Sequence, residues 1–160
     1  MYIPFDELNP NARVWVYQAD RKLTDSEVDF INKEGVNFVT SWTAHSKALK
    51  SSIEIFYNQF IVLSVDESAA AATGCSIDKS VHFVQALENQ LGVQLLDKSR
   101  VAYVDGDAIK QVPFPAIKEK VNDGTLNKES IIFNNMVTDL GSFKSQWKIP
   151  AKDSWMSRYF

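Results

Sequence analysis

The apolar positions of this 160-residue chain fall into short alternating or continuous runs, interrupted by two longer stretches at helical spacing. Arg13-Val14-Trp15-Val16-Tyr17-Gln18 is aromatic and β-branched, which predicts a first strand. A helix follows with complete start signals. Thr24-Asp25-Ser26-Glu27 fits a capping box, and Leu23 with Val28 fits a hydrophobic staple. Val28, Ile31, Phe38, Val39 and Trp42 then fall on one helical face. Gly35 lies on that face too, where it weakens the helix by about 1 kcal/mol relative to alanine. A close packing contact at Gly35 is therefore expected.

Ser52–Tyr57 and Phe60–Asp66 read as a hairpin turning at Asn58-Gln59. Phe60-Ile61-Val62-Leu63 is apolar on both faces, which suits a central strand. A second helix is predicted from about Ser76, as its N-cap, to Leu91. Ile77, Val81, Val84, Leu87 and Leu91 form its buried stripe, and Gly92 its C-terminal cap. Arg100–Val104 is a fourth strand that Asp105-Gly106 turns back toward Ala108–Val112. Pro115–Asn122, before Gly124, reads as a short helix, and Ile131–Phe133 as a last strand. The tail carries Trp147, Trp155, Tyr159 and Phe160. The core order β-α-β-β-α-β predicts one α+β domain over residues 1–160. It has a ferredoxin-like, mainly antiparallel sheet, two antiparallel helices on one face, and C-terminal additions.

Composition narrows the function classes. The chain is 45% hydrophobic and 23% charged, as ordinary globular proteins are. Its net charge is −3 and no Lys/Arg run occurs, which argues against nucleic acid as a partner. No apolar run approaches membrane-spanning length, so no membrane partner is expected. One cysteine, and no signal pattern in Met1–Asp6, lead us to expect a reducing, cytoplasmic setting. With Cys75, His45 and His82 far apart in sequence, neither a metal site nor a cofactor is expected.

Candidate chemistry gathers at one edge of the expected sheet. Antiparallel helices bring the end of the first, with Trp42 and His45, to the start of the second, with Cys75, Ser76, Asp78 and Lys79; Asp66 and Glu67 end a strand at that edge. A thiol beside a helix N-terminus ionises readily. A thiol, an imidazole and carboxylates are the parts of nucleophilic catalysis. Each residue also has a plainer reading. Cys75 is a small buried apolar group, and His45 complements the end of its helix. Trp42 is core, Asp66 and Glu67 form a solvated strand end, and His82 is exposed. Ser76 is a cap, Asp78 meets the dipole in the first turn, and Asn134 and Asn135 form a turn. Lys79-Ser80 matches the end of a phosphate-binding P-loop. That pattern requires glycines where Thr73 and Asp78 stand, and Asp78 would face the phosphates, so nucleotide hydrolysis by this route is excluded.

Several segments together carry a family resemblance over nearly the whole chain. They are Ala12–Gln18, Trp42-Thr43-Ala44-His45, Val65-Asp66-Glu67-Ser68, Gly74–Ser80 and Phe133-Asn134-Asn135. The chain resembles a family of short bacterial proteins of about this length, whose members often carry the label "ABC transporter ATPase". Such an ATPase needs a P-loop and a much larger nucleotide domain, and this chain has neither. The resemblance implies no established activity, and no residue role is carried over.

Two readings follow. The first is a non-enzymatic binding module for a small anionic ligand or a partner protein, with Trp42, Asp66, Glu67, Ser76, Asp78 and Lys79 at its site and Cys75 packed. The alternative is a thiol-dependent enzyme with an accessible Cys75 as nucleophile, His45 as base and Asp66 or Glu67 orienting it.

Overall fold

A computed structural model describes residues 1–160 of the chain. The first strand, β1, runs over Arg13–Gln18. The first helix, α1, spans Asp25–Ser41 and starts at Thr24, where both halves of the capping box form. Thr24 Oγ1 accepts from the Glu27 N–H at 3.2 Å, and Glu27 Oε1 accepts from the Thr24 N–H at 2.9 Å. Trp42 ends the helix in extended conformation. A small hairpin follows, β2 (Thr43–Ala44) and β3 (Lys47–Ala48), turning through His45 and Ser46 at φ 49° and 64°.

The strands β4 (Lys50–Phe56) and β5 (Phe60–Asp66) pair antiparallel with Phe56 opposite Phe60. Their turn is centred on Tyr57-Asn58, one residue earlier than Asn58-Gln59. Both central residues have positive φ, and the Gln59 N–H donates to the Phe56 carbonyl. The Asn58 carbonyl is thereby free to accept from the Leu23 N–H at 2.7 Å, fastening the hairpin to the entry of α1.

The second helix, α2, spans Gly74–Leu91 and is capped by Thr73 rather than Ser76. Ser76 is the third helical residue. Its N–H donates to Thr73 Oγ1 and its own Oγ accepts from the Thr73 N–H, so a serine completes the box where Glu or Gln is usual. The buried face also differs from the expected stripe. Ser76, Ser80, Val84 and Leu87 face inward, while Ile77 and Val81 are only half-buried. The two serines are tolerated there because their hydroxyls donate to the carbonyls of Thr73 and Ile77. Gly92 ends the helix at φ 64°, as expected.

Beyond it lie β6 (Arg100–Asp105), β7 (Ala108–Pro113), α3 (Ile117–Asn122) and β8 (Ile131–Phe133). They are followed by α4 (Leu140–Gln146), which Asp139 caps, and by β9 (Lys148–Pro150). Neither α4 nor β9 is among the predicted elements.

The strands form two larger sheets. One has the order β1-β5-β4, all antiparallel, with the doubly apolar β5 at its centre as expected. The other has the order β7-β6-β8-β9. The architecture is thus α+β with antiparallel sheets. The four-stranded ferredoxin-like sheet is not formed, because β6 pairs with β7 and β8 instead of lying beside β1.

Alternation along the first sheet directs Ile53, Ile61, Leu63 and Val65 toward Ile31, Val39, Val84 and Leu87 of the two long helices. It directs Val14, Val16, Phe60 and Val62 toward Ala102, Phe133, Phe143 and Trp147. The sheet is therefore covered on both faces, and the aromatic tail is core rather than appendage. A third cluster closes the far side of the second sheet, where Val101, Tyr103 and Ile132 meet Ile117, Leu126 and Met156.

Candidate functional site

The expected edge exists, and Trp42 is its central side chain. Its indole is buried among Phe38 and Trp15, with ring centroids 5.1 and 6.2 Å away. The ring N–H donates to the Ser76 carbonyl at 2.9 Å. The end of α1 is thus tied to the first turn of α2, as the topology argument requires.

The remaining predicted residues have other occupations. Asp66 accepts from the Ser68 N–H at 2.9 Å, and its hydrogen bonds to Ser68 hold its carboxyl below the usual range. Glu67 accepts from the Ala72 N–H at 2.9 Å and lies 3.6 Å from Arg13 Nε. Both carboxylates therefore brace the loop that leads into α2. Asp78 and Lys79 are exposed in the second turn of α2, beyond the first-turn position expected for Asp78. Cys75 is exposed, because its neighbours Ser76 and Ser80 take the inward face. That corrects the packed thiol of the binding-module reading. His45 is exposed at the tip of the β2–β3 hairpin. The partners of Asp66 and Glu67 are Ser68, Ala72 and Arg13, so neither carboxylate orients the imidazole. No cluster of three or more His, Cys, Asp or Glu side chains is placed to hold a metal ion, and no helix is long and apolar enough to cross a membrane.

Another candidate lies along β1. A cleft of about 610 Å³ runs along β1, with every residue from Arg13 to Gln18 in its lining. Its walls come from Leu95, Asp97, Lys98, Arg100 and Val101 and from Asn135–Thr138, with Phe114, Phe133, Trp155 and Arg158 also in the lining. The cleft arises because β1 is an edge strand. On its outer side only the start is paired. The Val14 N–H donates to the Thr138 carbonyl at 3.0 Å and the Leu140 N–H donates to the Ala12 carbonyl at 2.8 Å, so Arg13 and Asp139 stand opposite each other in an isolated antiparallel backbone bridge. Before Thr138 the chain is not paired with β1, and Asn135–Thr138 line the cleft there. Asn135 fixes that wall: its amide donates to Gln18 Oε1 at 2.9 Å, and its Oδ1 accepts from the Trp147 indole at 2.9 Å. Asn135 does lie in a turn, as predicted, but it also ties the tail to β1.

The cleft is positive. Arg13, Lys98, Arg100 and Arg158 line it, against Asp97 as the one carboxylate. Asp97 is held ionised by its hydrogen bonds from the Ser99 hydroxyl and N–H, and lies 3.7 Å from Arg100. The buried Nε of Arg100 has no hydrogen-bond partner. Sequence reading missed this group because its cations lie at positions 13, 98, 100 and 158 and form no local cluster; the strand prediction for Arg13–Gln18 was the available signal. Comparison with family models, with curated proteins and with solved structures finds no match.

Proposed function

We propose that this protein is a binding module that holds an anionic ligand in the cleft alongside β1. The observation that carries the reading is the cleft's charge. Four cations from three distant parts of a chain whose net charge is −3 line it; Arg13 lies near Glu67 and Arg100 near Asp97, while Lys98 and Arg158 have no carboxylate partner. A concave site lined by one sign of charge focuses the potential and attracts the opposite sign. Its volume lies within the span of about 300–1,000 Å³ typical of ligand sites. Exposed apolar groups in the same lining supply contact area, with Phe114 at 42% and Met136 at 74% exposure. The ligand class is the one expected from the sequence, while the place is β1 rather than the Cys75–Lys79 edge.

Thermal unfolding against a panel of di- and tricarboxylates, phosphate esters and acidic peptides tests this, since a ligand that binds only the folded state raises the midpoint. Members of the panel should stabilise the parent protein and lose that effect in Lys98→Glu and Arg158→Glu. Stabilisation that survives both charge reversals, or none from any anion, would refute the reading.

A further inference from the structure

We infer that the cleft takes an extended acidic segment of a partner protein, which adds to the outer edge of β1 as a further strand. The inference rests on the proposed anion-binding reading and names the ligand's form. Backbone groups along a strand alternate sides. The Ala19 N–H reaches Gln59 on the β5 side, whereas the Val14 N–H and Ala12 carbonyl point outward to the 138–140 segment. By that alternation the Val14 carbonyl, both backbone groups of Val16 and the Gln18 N–H also point outward, into the cleft. None of them has a backbone or side-chain partner. Yet Val14, Val16 and Gln18 are only 4%, 8% and 6% exposed. Their side chains pack inward, so these residues turn toward the cleft an unpaired row of backbone donors and acceptors, the template on which another chain can pair as a strand.

A second strand supplies the matching spacing, with donors and acceptors recurring every two residues, about 6.6–6.8 Å apart. A compact anion can satisfy one end of the row but not its length. Main-chain pairing would give affinity, and the cations of the walls would select acidic side chains, as in other strand-addition sites.

The test uses the full chain, ¹⁵N-labelled, and three probes: a capped octapeptide of alternating glutamate and valine, the same peptide with glutamine for glutamate, and citrate. Two further versions of the acidic peptide carry N-methyl groups on alternate amides, in one register or the other. The acidic peptide should bind and slow hydrogen exchange at the Val16 and Gln18 amides. One N-methyl register should weaken binding about tenfold, the equivalent of losing about two backbone hydrogen bonds, and the other should change it little. Lys98→Glu should weaken binding of the acidic peptide and not of the glutamine peptide. If citrate binds the cleft but both N-methyl registers bind like the parent peptide, strand addition is wrong and the anion-binding reading stands. Equal binding of the glutamine peptide overturns the acidic partner. If neither citrate nor any peptide perturbs the cleft, both readings fall.

Discussion

Gly35 of α1 lies directly against Ile53 of β4. A Cβ placed on Gly35 would collide with Ile53 Cδ1 and stand 3.0 Å from Cγ2, in a site where both residues are buried. The glycine lets the helix backbone settle onto the sheet, and this contact outweighs the loss in helix propensity. Gly35→Ala should therefore destabilise the protein by about 1–2 kcal/mol, because overpacking costs more than the roughly 1 kcal/mol the helix gains. Ile53→Val in the same chain removes Cδ1 and should recover part of the loss. Urea denaturation of the parent, the single variant and the double variant checks this. A stabilised Gly35→Ala would mean that the contact is slack.

The start of α1 should be sensitive to acid. Arg21 Nη1 and Nη2 donate to the two oxygens of Glu27 at 2.8 Å each, and the Thr24 N–H donates to the same carboxylate. These bonds, the Arg21 pair foremost, lower the Glu27 carboxyl to about 2. A carboxyl held below its unfolded value of 4.5 contributes its stability in full above that value and loses it as pH falls toward 2. Thermal midpoints should accordingly drop through that window, and Glu27→Gln should flatten the drop while lowering the midpoint at neutral pH. Since Arg21 is 44% exposed, the ion pair itself is screened, and high salt should shrink the difference. A Glu27→Gln profile parallel to the parent's from pH 4.5 to 2 would contradict the assignment.

Cys75 decides between the two sequence readings. Its thiol is exposed, so iodoacetamide should label it in the native protein without prior unfolding. Because the nearby carboxylates are engaged elsewhere and His45 sits at a hairpin tip, His45→Ala should leave the labelling rate unchanged. A marked slowing in His45→Ala would instead favour the thiol-dependent enzyme, with His45 activating Cys75.

The amino-acid sequence by itself determined the features that depend on neighbours within a turn or two. These are the capping box at Thr24, the αL cap at Gly92 and the limits of β1, β5 and β8. Each rests on a hydrogen bond or a side-chain alternation whose partners lie close in sequence. It misplaced the start of α2, because Thr73-x-x-Ser76 closes a box with a serine where Glu or Gln is usual, and it missed that Ser76 and Ser80 bury their hydroxyls by donating to backbone carbonyls. It did place the end of α1 beside the start of α2, which the Trp42–Ser76 hydrogen bond now fastens. Only the tertiary structure decided that β6 leaves β1 for a second sheet, and that Phe143 and Trp147 cover the other face of the first. It also brought Arg13, Lys98, Arg100 and Arg158 around an unpaired edge. The physical reason is range: these arrangements join residues many tens of positions apart. They are settled by the sum of apolar burial over competing pairings and by no single local preference.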